Sequence, residues 1–283
     1  KGMRFKMQHA IITGGSSGIG KATAMMLAKQ GANISIIARH QNKLETAKAE
    51  IEAVRADPEQ RIICICADVS QQAQLEQAIT KTIEELGTPN LLITSAGIAH
   101  PGYFHELPVQ IFAETMAINY FGTLYAIKSV LPSMRQKQQG HIVIISSGAG
   151  LIGIYGYTPY SPSKFALRGL AESLRGELKC WGISVSIVYP PDTDTPQFAT
   201  ENLTKPQETK LITATAKTWS AKSVAKVILR GIERKDFVIT PGLEMKLLQV
   251  WHSLLSPILN WYFDKIVNKV HSYSNEQLTS NNE

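Results

Sequence analysis

Hydrophobic residues fall along this chain in two alternating rhythms. Short continuous apolar runs occupy 10–13, 34–38, 62–66, 91–94, 142–145, 184–188 and 237–240. Runs that stay apolar at successive positions suit parallel strands covered on both faces, since a sheet with one wet face would alternate. Between them, apolar positions recur three and four residues apart, predicting helices over 19–30, 41–54, 71–86, 110–131, 159–179 and 221–234. Gly31, Gly87 and Gly182 stand where helices should stop. Strands alternating with helices, with no long linker and no repeat, predict one α/β domain over 1–242: a doubly wound, seven-stranded parallel sheet.

The rhythm changes after 242. From 247 to 263 there is no Asp, Glu, Lys or Arg, and Leu247, Leu248, Trp251, Leu254, Leu255, Ile258, Leu259 and Tyr262 form one apolar stripe at helical spacing. Gln249, His252, Ser253, Ser256 and Asn260 take the other side, and Pro257 should kink the helix. A helix of that length rises about 25 Å, short of a hydrocarbon core of about 30 Å. Residues 243–271 therefore read as an amphipathic C-terminal helical extension: an interfacial membrane helix, a packed helix or lid, or a subunit contact. Residues 272–283 are polar and should fray.

Composition adds limits. At 283 residues and 44% hydrophobic, the chain can bury a large core. A net charge of +6 favours anionic partners. No Lys/Arg run or aromatic–basic stripe accompanies it, so nucleic acid is not expected. Cys64 and Cys66 lie two apart on one strand, poorly placed to bridge, which points to a reducing compartment. Lys1-Gly2-Met3 leads directly towards a strand, so no signal peptide is expected. The cytoplasm is the expected location, with peripheral contact on the cytoplasmic face of a membrane through 243–271. The histidines lack ligand spacing, and no metal is expected.

Candidate chemistry begins where the first strand ends. Thr13-Gly14-Gly15-Ser16-Ser17-Gly18-Ile19-Gly20 joins that strand to a helix. Gly14, Gly18 and Gly20 permit a tight turn and close approach of backbone to a pyrophosphate, while the helix N-terminus aims its unpaired N–H groups at the anion. Ser16 and Ser17 can add hydroxyl donors, and Ile19 opens the helix. This is the phosphate-binding turn of a Rossmann domain. Where a carboxylate would bind an adenosine 2′-hydroxyl, the second strand ends in Ala38-Arg39, with Lys43 four residues on. Cations there favour a 2′-phosphate, hence NADPH/NADP+; the alternative is a solvated basic face. Asp68 and Val69 follow the third strand, where Asp68 can accept from the adenine amino group or cap a helix. Ala96 and Gly97 end the fourth strand, leaving room for ribose and nicotinamide against the backbone.

Ser147 closes the fifth strand, and Tyr160 and Lys164 lie one turn apart at the start of the next helix. A phenol with an ordinary pKa of about 10 is a poor acid–base group at neutral pH. An ammonium one turn away should lower that value. Ser147 can hold a substrate oxygen beside the phenol. Asn119 can offer a backbone or amide contact to a water that relays protons from Lys164.

Together, the glycine turn, Asp68, Ser95-Ala96-Gly97, Asn119, Ser147 and Tyr160-x-x-x-Lys164 resemble the short-chain dehydrogenase/reductase family over roughly 8–240. The resemblance implies a catalytic tetrad of Ser147, Tyr160, Lys164 and Asn119, and a homo-oligomer, dimer or tetramer. Two departures stand out: Ser95 where Asn is usual, and Pro190-Pro191 where Pro-Gly is usual, a stiffer start to the loop over the nicotinamide. The segment 189–206 resembles that of the 3-ketodihydrosphingosine reductases within the family. It implies NADPH-dependent reduction of a long-chain α-amino ketone, with Thr195 on the nicotinamide carboxamide and Asp192 or Asp194 capping turns or meeting the substrate ammonium. Other lipophilic ketones or aldehydes (steroid, retinal, fatty-acyl) fit the same site, as does a non-catalytic NADP(H) sensor.

Overall fold

A computed structural model describes residues 4–214 and 216–280, with the side chains of 273–280 left aside. Residues 1–3, read above as leading straight into a strand, and 281–283, the last of the polar end, lie outside the described residues.

The strands are β1 (His9–Thr13), β2 (Asn33–Ala38), β3 (Ile62–Cys66), β4 (Leu91–Thr94), β5 (Gly140–Ile145), β6 (Ile183–Val188), β7 (Thr193–Asp194), β8 (Trp219–Ser220) and β9 (Val238–Ile239). The helices are α1 (Gly18–Ala28), α2 (Gln41–Glu52), α3 (Gln72–Leu86), α4 (Val109–Met116), α5 (Gly122–Lys137), α6 (Tyr160–Leu178), α7 (Pro196–Thr204), α8 (Gln207–Thr213), α9 (Ala221–Arg234) and α10 (Leu243–Ser280). Seven strands form one parallel sheet in the order β3-β2-β1-β4-β5-β6-β9. Successive residues of each strand alternate between two cores. Ile12, Ile34, Ile36, Ile93 and Val143 pack with Leu27, Leu44 and Ile228 on one face. Ile11, Ile37, Leu92, Ile142 and Ile144 pack with Ile79, Ile127 and Leu167 on the other. Burial on both faces is why the strands read as unbroken apolar runs.

The order of strands places the site. β2 lies on one side of β1 and β4 on the other. The chain therefore reverses direction across the sheet at β1/β4, and a crevice opens beyond their carboxyl ends.

The structure departs from the sequence expectations at three places. The helix expected over 110–131 is α4 and α5 joined by a π-helical turn, Ala117–Phe121. Segment 189–206 is not all loop: Thr195 caps α7 and Pro196 opens it, an N-cap followed by N1 proline that the sequence already carried. The α10 stripe is also not all turned inward. Leu248, Leu255 and Leu259 are half-buried with Gln249, His252 and Ser256, while Leu247, Trp251, Leu254 and Ile258 face outward with Leu243 and Trp261. His252 Nε2 lies 3.3 Å from Arg168 on α6, which draws the polar side of α10 towards the domain. The helix is continuous through Ser280 and contains Pro257. Among the described residues, no helix is long and apolar enough to cross a membrane. Cys64, Cys66 and Cys180 are all free thiols.

Candidate active site

Beyond the carboxyl ends of β1, β4, β5 and β6 lies a cavity of about 220 Å³. Its floor is the turn between β1 and α1. Gly14 sits at φ +69°, and a Cβ there would stand 2.6 Å from the Ala96 backbone nitrogen. Gly20 packs against the carbonyl of Gly14 so closely that no side chain fits. Gly18, at φ +52°, leaves room for the Thr195 side chain of the opposite loop. These glycines thus let two backbones and a loop converge. Ser17 is the N-cap of α1 but makes no side-chain cap bond. The first-turn N–H groups have no side-chain acceptor there, which suits a phosphate.

Gly14, Ser17, Gly18, Ile19, Ala96, Gly97, Pro190 and Thr195 all line this cavity with Ser147, Tyr160 and Lys164. Ser16 and Lys43 line a separate cleft, joined there by Lys21 and Asn42. Lys21, which also pairs with Glu50 at 2.8 Å, was not singled out from the sequence. Arg39 is exposed at the end of β2 and lines neither cavity. Asp68 closes a turn: its Oδ1 accepts from the backbone N–H of Ser70 at 2.9 Å and from its hydroxyl at 2.8 Å. The cap of α3 is Gln71, so Asp68 is not the helix cap considered above. Val69 is buried against Gly122. The residues present therefore fit a dinucleotide laid from the cationic cleft across the glycine turn to Ala96 and Gly97.

β5 and α6 assemble the polar group. Ser147 follows β5, and its Oγ accepts from the Ala149 N–H at 3.2 Å. Tyr160 starts α6, and Lys164 sits one turn later with its Nζ 5.4 Å from the Tyr160 ring centre. Lys164 is buried and donates to the Ile145 carbonyl at 3.2 Å. Burial lowers its pKa to about 8, although the charge of Glu201 acts the other way.

The expectation that Lys164 lowers the Tyr160 pKa is corrected here. Burial foremost, then the Glu201 carboxylate, push the phenol well above its ordinary value, while hydrogen bonding from Ser147 and Gln197 acts to lower it. A phenol out of water holds its proton firmly, since burial penalises the charged tyrosinate.

Asn119 lies in the π turn and is fully buried. Its amide is engaged at both atoms: Nδ2 donates to the Ile98 carbonyl and to Ser163 Oγ, both at 2.9 Å, and Oδ1 accepts from the Ile98 N–H at 2.9 Å. Nδ2 has no hydrogen left for a water, so an amide contact could come only through Oδ1. The backbone carbonyl accepts from the Thr123 hydroxyl at 3.0 Å. Asn119 thus ties the end of β4 to α6. A Cβ at Gly97 would stand 3.2 Å from Asn119 Oδ1 and 3.6 Å from Lys164 Nζ.

The outer wall was not legible from the motifs. Tyr157, Gln197, Phe198 and Glu201 close the cavity opposite the glycine turn, and Asp192 joins them. Asp194 is exposed and pairs through β7 with β8. Thr195 Oγ1 accepts from the Phe198 N–H at 3.2 Å as the cap of α7, leaving its hydroxyl proton for a ligand. No cluster among the described residues could hold a metal ion.

A parallel sheet with a switch-point crevice, a glycine turn and a Ser–Tyr–Lys group define a class that sequence comparison also finds. The model of the short chain dehydrogenase family matches residues 8–206, and the chain belongs to that family, oxidoreductases acting on CH–OH donors. The relatives it matches are more specific. A 3-dehydrosphinganine reductase of Danio rerio is 42% identical over 259 residues, spanning 91% of this chain and 78% of that one. A 3-ketodihydrosphingosine reductase of Bos taurus is 43% identical over 88% of this chain and 76% of its own length. One from Dictyostelium discoideum is 42% identical over 93% and 83%. Among solved structures, levodione reductase superposes with TM-score 0.76 at 26% identity, covering 84% of this chain and 96% of that one. A short chain dehydrogenase/reductase from Burkholderia phymatum in complex with NAD shares the fold, with TM-score 0.78 at 23% identity over 89% and 95%.

Proposed function

We propose that this protein uses NADPH to reduce the 3-keto group of 3-ketosphinganine to the alcohol of sphinganine, with Tyr160 donating the proton. The observation that carries the reading is the cavity that brings Ser147, Tyr160 and Lys164 beside the glycine turn. Relatives above 40% identity that bear the name of this activity narrow the substrate.

Held by the glycine turn, Ala96 and Gly97, NADPH would supply the hydride for the carbonyl carbon. The chain's own residues do the rest. Ser147 donates to the carbonyl oxygen and fixes it beside the phenol. Tyr160, protonated at neutral pH, delivers its proton to that oxygen as negative charge develops. The Lys164 ammonium then faces the tyrosinate and offsets its charge. Lys43 and Lys21 in the adenosine-side cleft, with Arg39 at the end of β2, support the choice of a 2′-phosphate.

The outer face of α10 fits the surface of an anionic membrane. Trp251 and Trp261 stand exposed beside Leu254 and Ile258, and Lys246, Lys265 and Lys269 lie on the same helix.

A panel of ketones in mixed micelles, each offered with NADPH and NADH, tests the assignment. Turnover of 3-ketosphinganine at least tenfold faster with NADPH is expected, with sphinganine identified as product. Activity confined to steroids or retinal would contradict the substrate, and equal use of NADH would contradict the cofactor.

A further inference from the structure

Neither the glycine turn nor the proton-transfer group requires Glu201, yet the fold places it at the wall of the reaction cavity. It lies on α7, is only 8% exposed, and lines the same space as Tyr160 and Ser147. Both oxygens are fixed: Tyr157 donates its hydroxyl to Oε2 at 2.8 Å, and Gln197 Nε2 donates to Oε1 at 2.8 Å. Both donors are neutral. Among the described residues no Lys, Arg or His comes within 4.0 Å of this carboxylate. Lys205, one turn on and also buried, directs its ammonium to the rings of Phe198 at 4.5 Å and Tyr157 at 6.0 Å. A carboxylate withdrawn from water with no cation in contact, and only the charge of Lys164 acting on it across the cavity, is costly, so a cation delivered by a ligand would be favoured there.

The wall also adjoins the proton-transfer group, since its side chains line the same cavity as Ser147 and Tyr160. In an α-amino ketone the ammonium sits on the carbon next to the carbonyl. With the carbonyl oxygen between Ser147 and Tyr160, the ammonium falls towards the adjoining side chains. Tyr157 and Tyr160 have ring centres 5.6 Å apart, and Gln197 reaches both Tyr160 and Glu201. Asp192 is the competing carboxylate on this wall; the charge of Lys205 acts on it as that of Lys164 acts on Glu201, but Asp192 is only half-buried, whereas Glu201 is buried with both oxygens fixed.

We propose that Glu201 is the specificity-determining residue of the site, its carboxylate receiving the protonated amine of an α-amino ketone and so setting the ketone against Tyr160. The inference rests on the reductase reading above and goes beyond it by naming what distinguishes this substrate from a plain long-chain ketone.

A matched pair of substrates tests it: 3-ketosphinganine and its deaminated analogue, the same chain with hydrogen in place of the amine. Both are offered in the same micelles to the wild type, Glu201→Gln and Glu201→Asp. The wild type is expected to prefer the amino ketone in kcat/KM by about tenfold to a hundredfold, chiefly through KM. The ratio should fall to near unity in Glu201→Gln and be partly kept in Glu201→Asp. A Glu201→Gln enzyme that loses activity on both ketones alike, leaving the ratio unchanged, shows a structural role and overturns the proposal. So does a wild-type ratio near unity, a result that needs no variant to fold. A wild type that reduces both ketones equally overturns this inference alone, whereas one that reduces neither overturns the reductase reading with it.

Discussion

Tyr160 and Lys164 stand one helical turn apart, and burial moves their pKa values in opposite directions: the phenol upward and the ammonium down to about 8. The first shift leaves Tyr160 protonated at neutral pH but a weaker acid, so its proton moves only as negative charge develops on the carbonyl oxygen. The second sets a limit. A lysine whose pKa has fallen to about 8 is charged below that pH and neutral above it, so the group that offsets the tyrosinate is lost as pH rises. Reductive kcat/KM is therefore expected to stay flat through neutrality and fall above about pH 8. In Lys164→Arg, which keeps its charge, the residual activity should lack that fall. A wild-type profile that rises from pH 7 to 10 would contradict the assignment of roles.

At the scale of elements, the sheet carries two buried histidines at the starts of neighbouring strand pairs. His9 on β1 donates from Nδ1 to the Gly87 carbonyl at 2.7 Å and accepts at Nε2 from Ser35 of β2 at 2.7 Å. His141 on β5 meets Ser186 of β6 at 2.7 Å, and Ser186 donates to the Asp236 carbonyl at 2.6 Å, so the histidine donates. Burial lowers both pKa values from 6.5 to about 4. The unfolded chain then binds more protons than the native one between those values, and stability present above pH 6.5 is lost as pH falls towards 4. Each histidine should account for about 2–3 kcal/mol of that loss. Thermal unfolding at pH 6.5 and pH 4.5 checks this, and His9→Gln should flatten part of the slope.

These strands also show what a sequence makes legible. Ile34–Ile36–Ile37 and Ile142–Ile144 are buried from both sides, so an apolar run sufficed to find them. Gly14, Tyr160 and Lys164 were found because their chemistry ties them to fixed offsets on one turn or one helix face. The wall made by Tyr157, Gln197 and Glu201 has no such offset. It forms only when α7 folds back over the cavity, and a lone glutamate in a proline-bearing segment signals nothing of that. The split stripe on α10 was hidden for a related reason. Periodicity gives the width of an apolar face but not its rotation, and contacts such as Arg168 with His252 set the rotation.

The whole molecule presents three surfaces: a cleft lined by Lys21 and Lys43, a polar cavity around Tyr160, and an apolar helix face turned to the outside. If that face lies on lipid, the protein should co-sediment with anionic vesicles and lose most of that binding when Trp251 and Leu254 are both changed to Glu. Unchanged sedimentation would remove the membrane from the account. The central claim is the reduction itself, with Tyr160 as its proton donor. Its most direct test is NADPH oxidation with 3-ketosphinganine by the wild type and by Tyr160→Phe, with NADPH binding measured in parallel. Turnover in the wild type and a loss of about 10²–10⁴-fold in the variant, with NADPH still bound, is the predicted result. A Tyr160→Phe enzyme that reduces the ketone as fast as the wild type would contradict it.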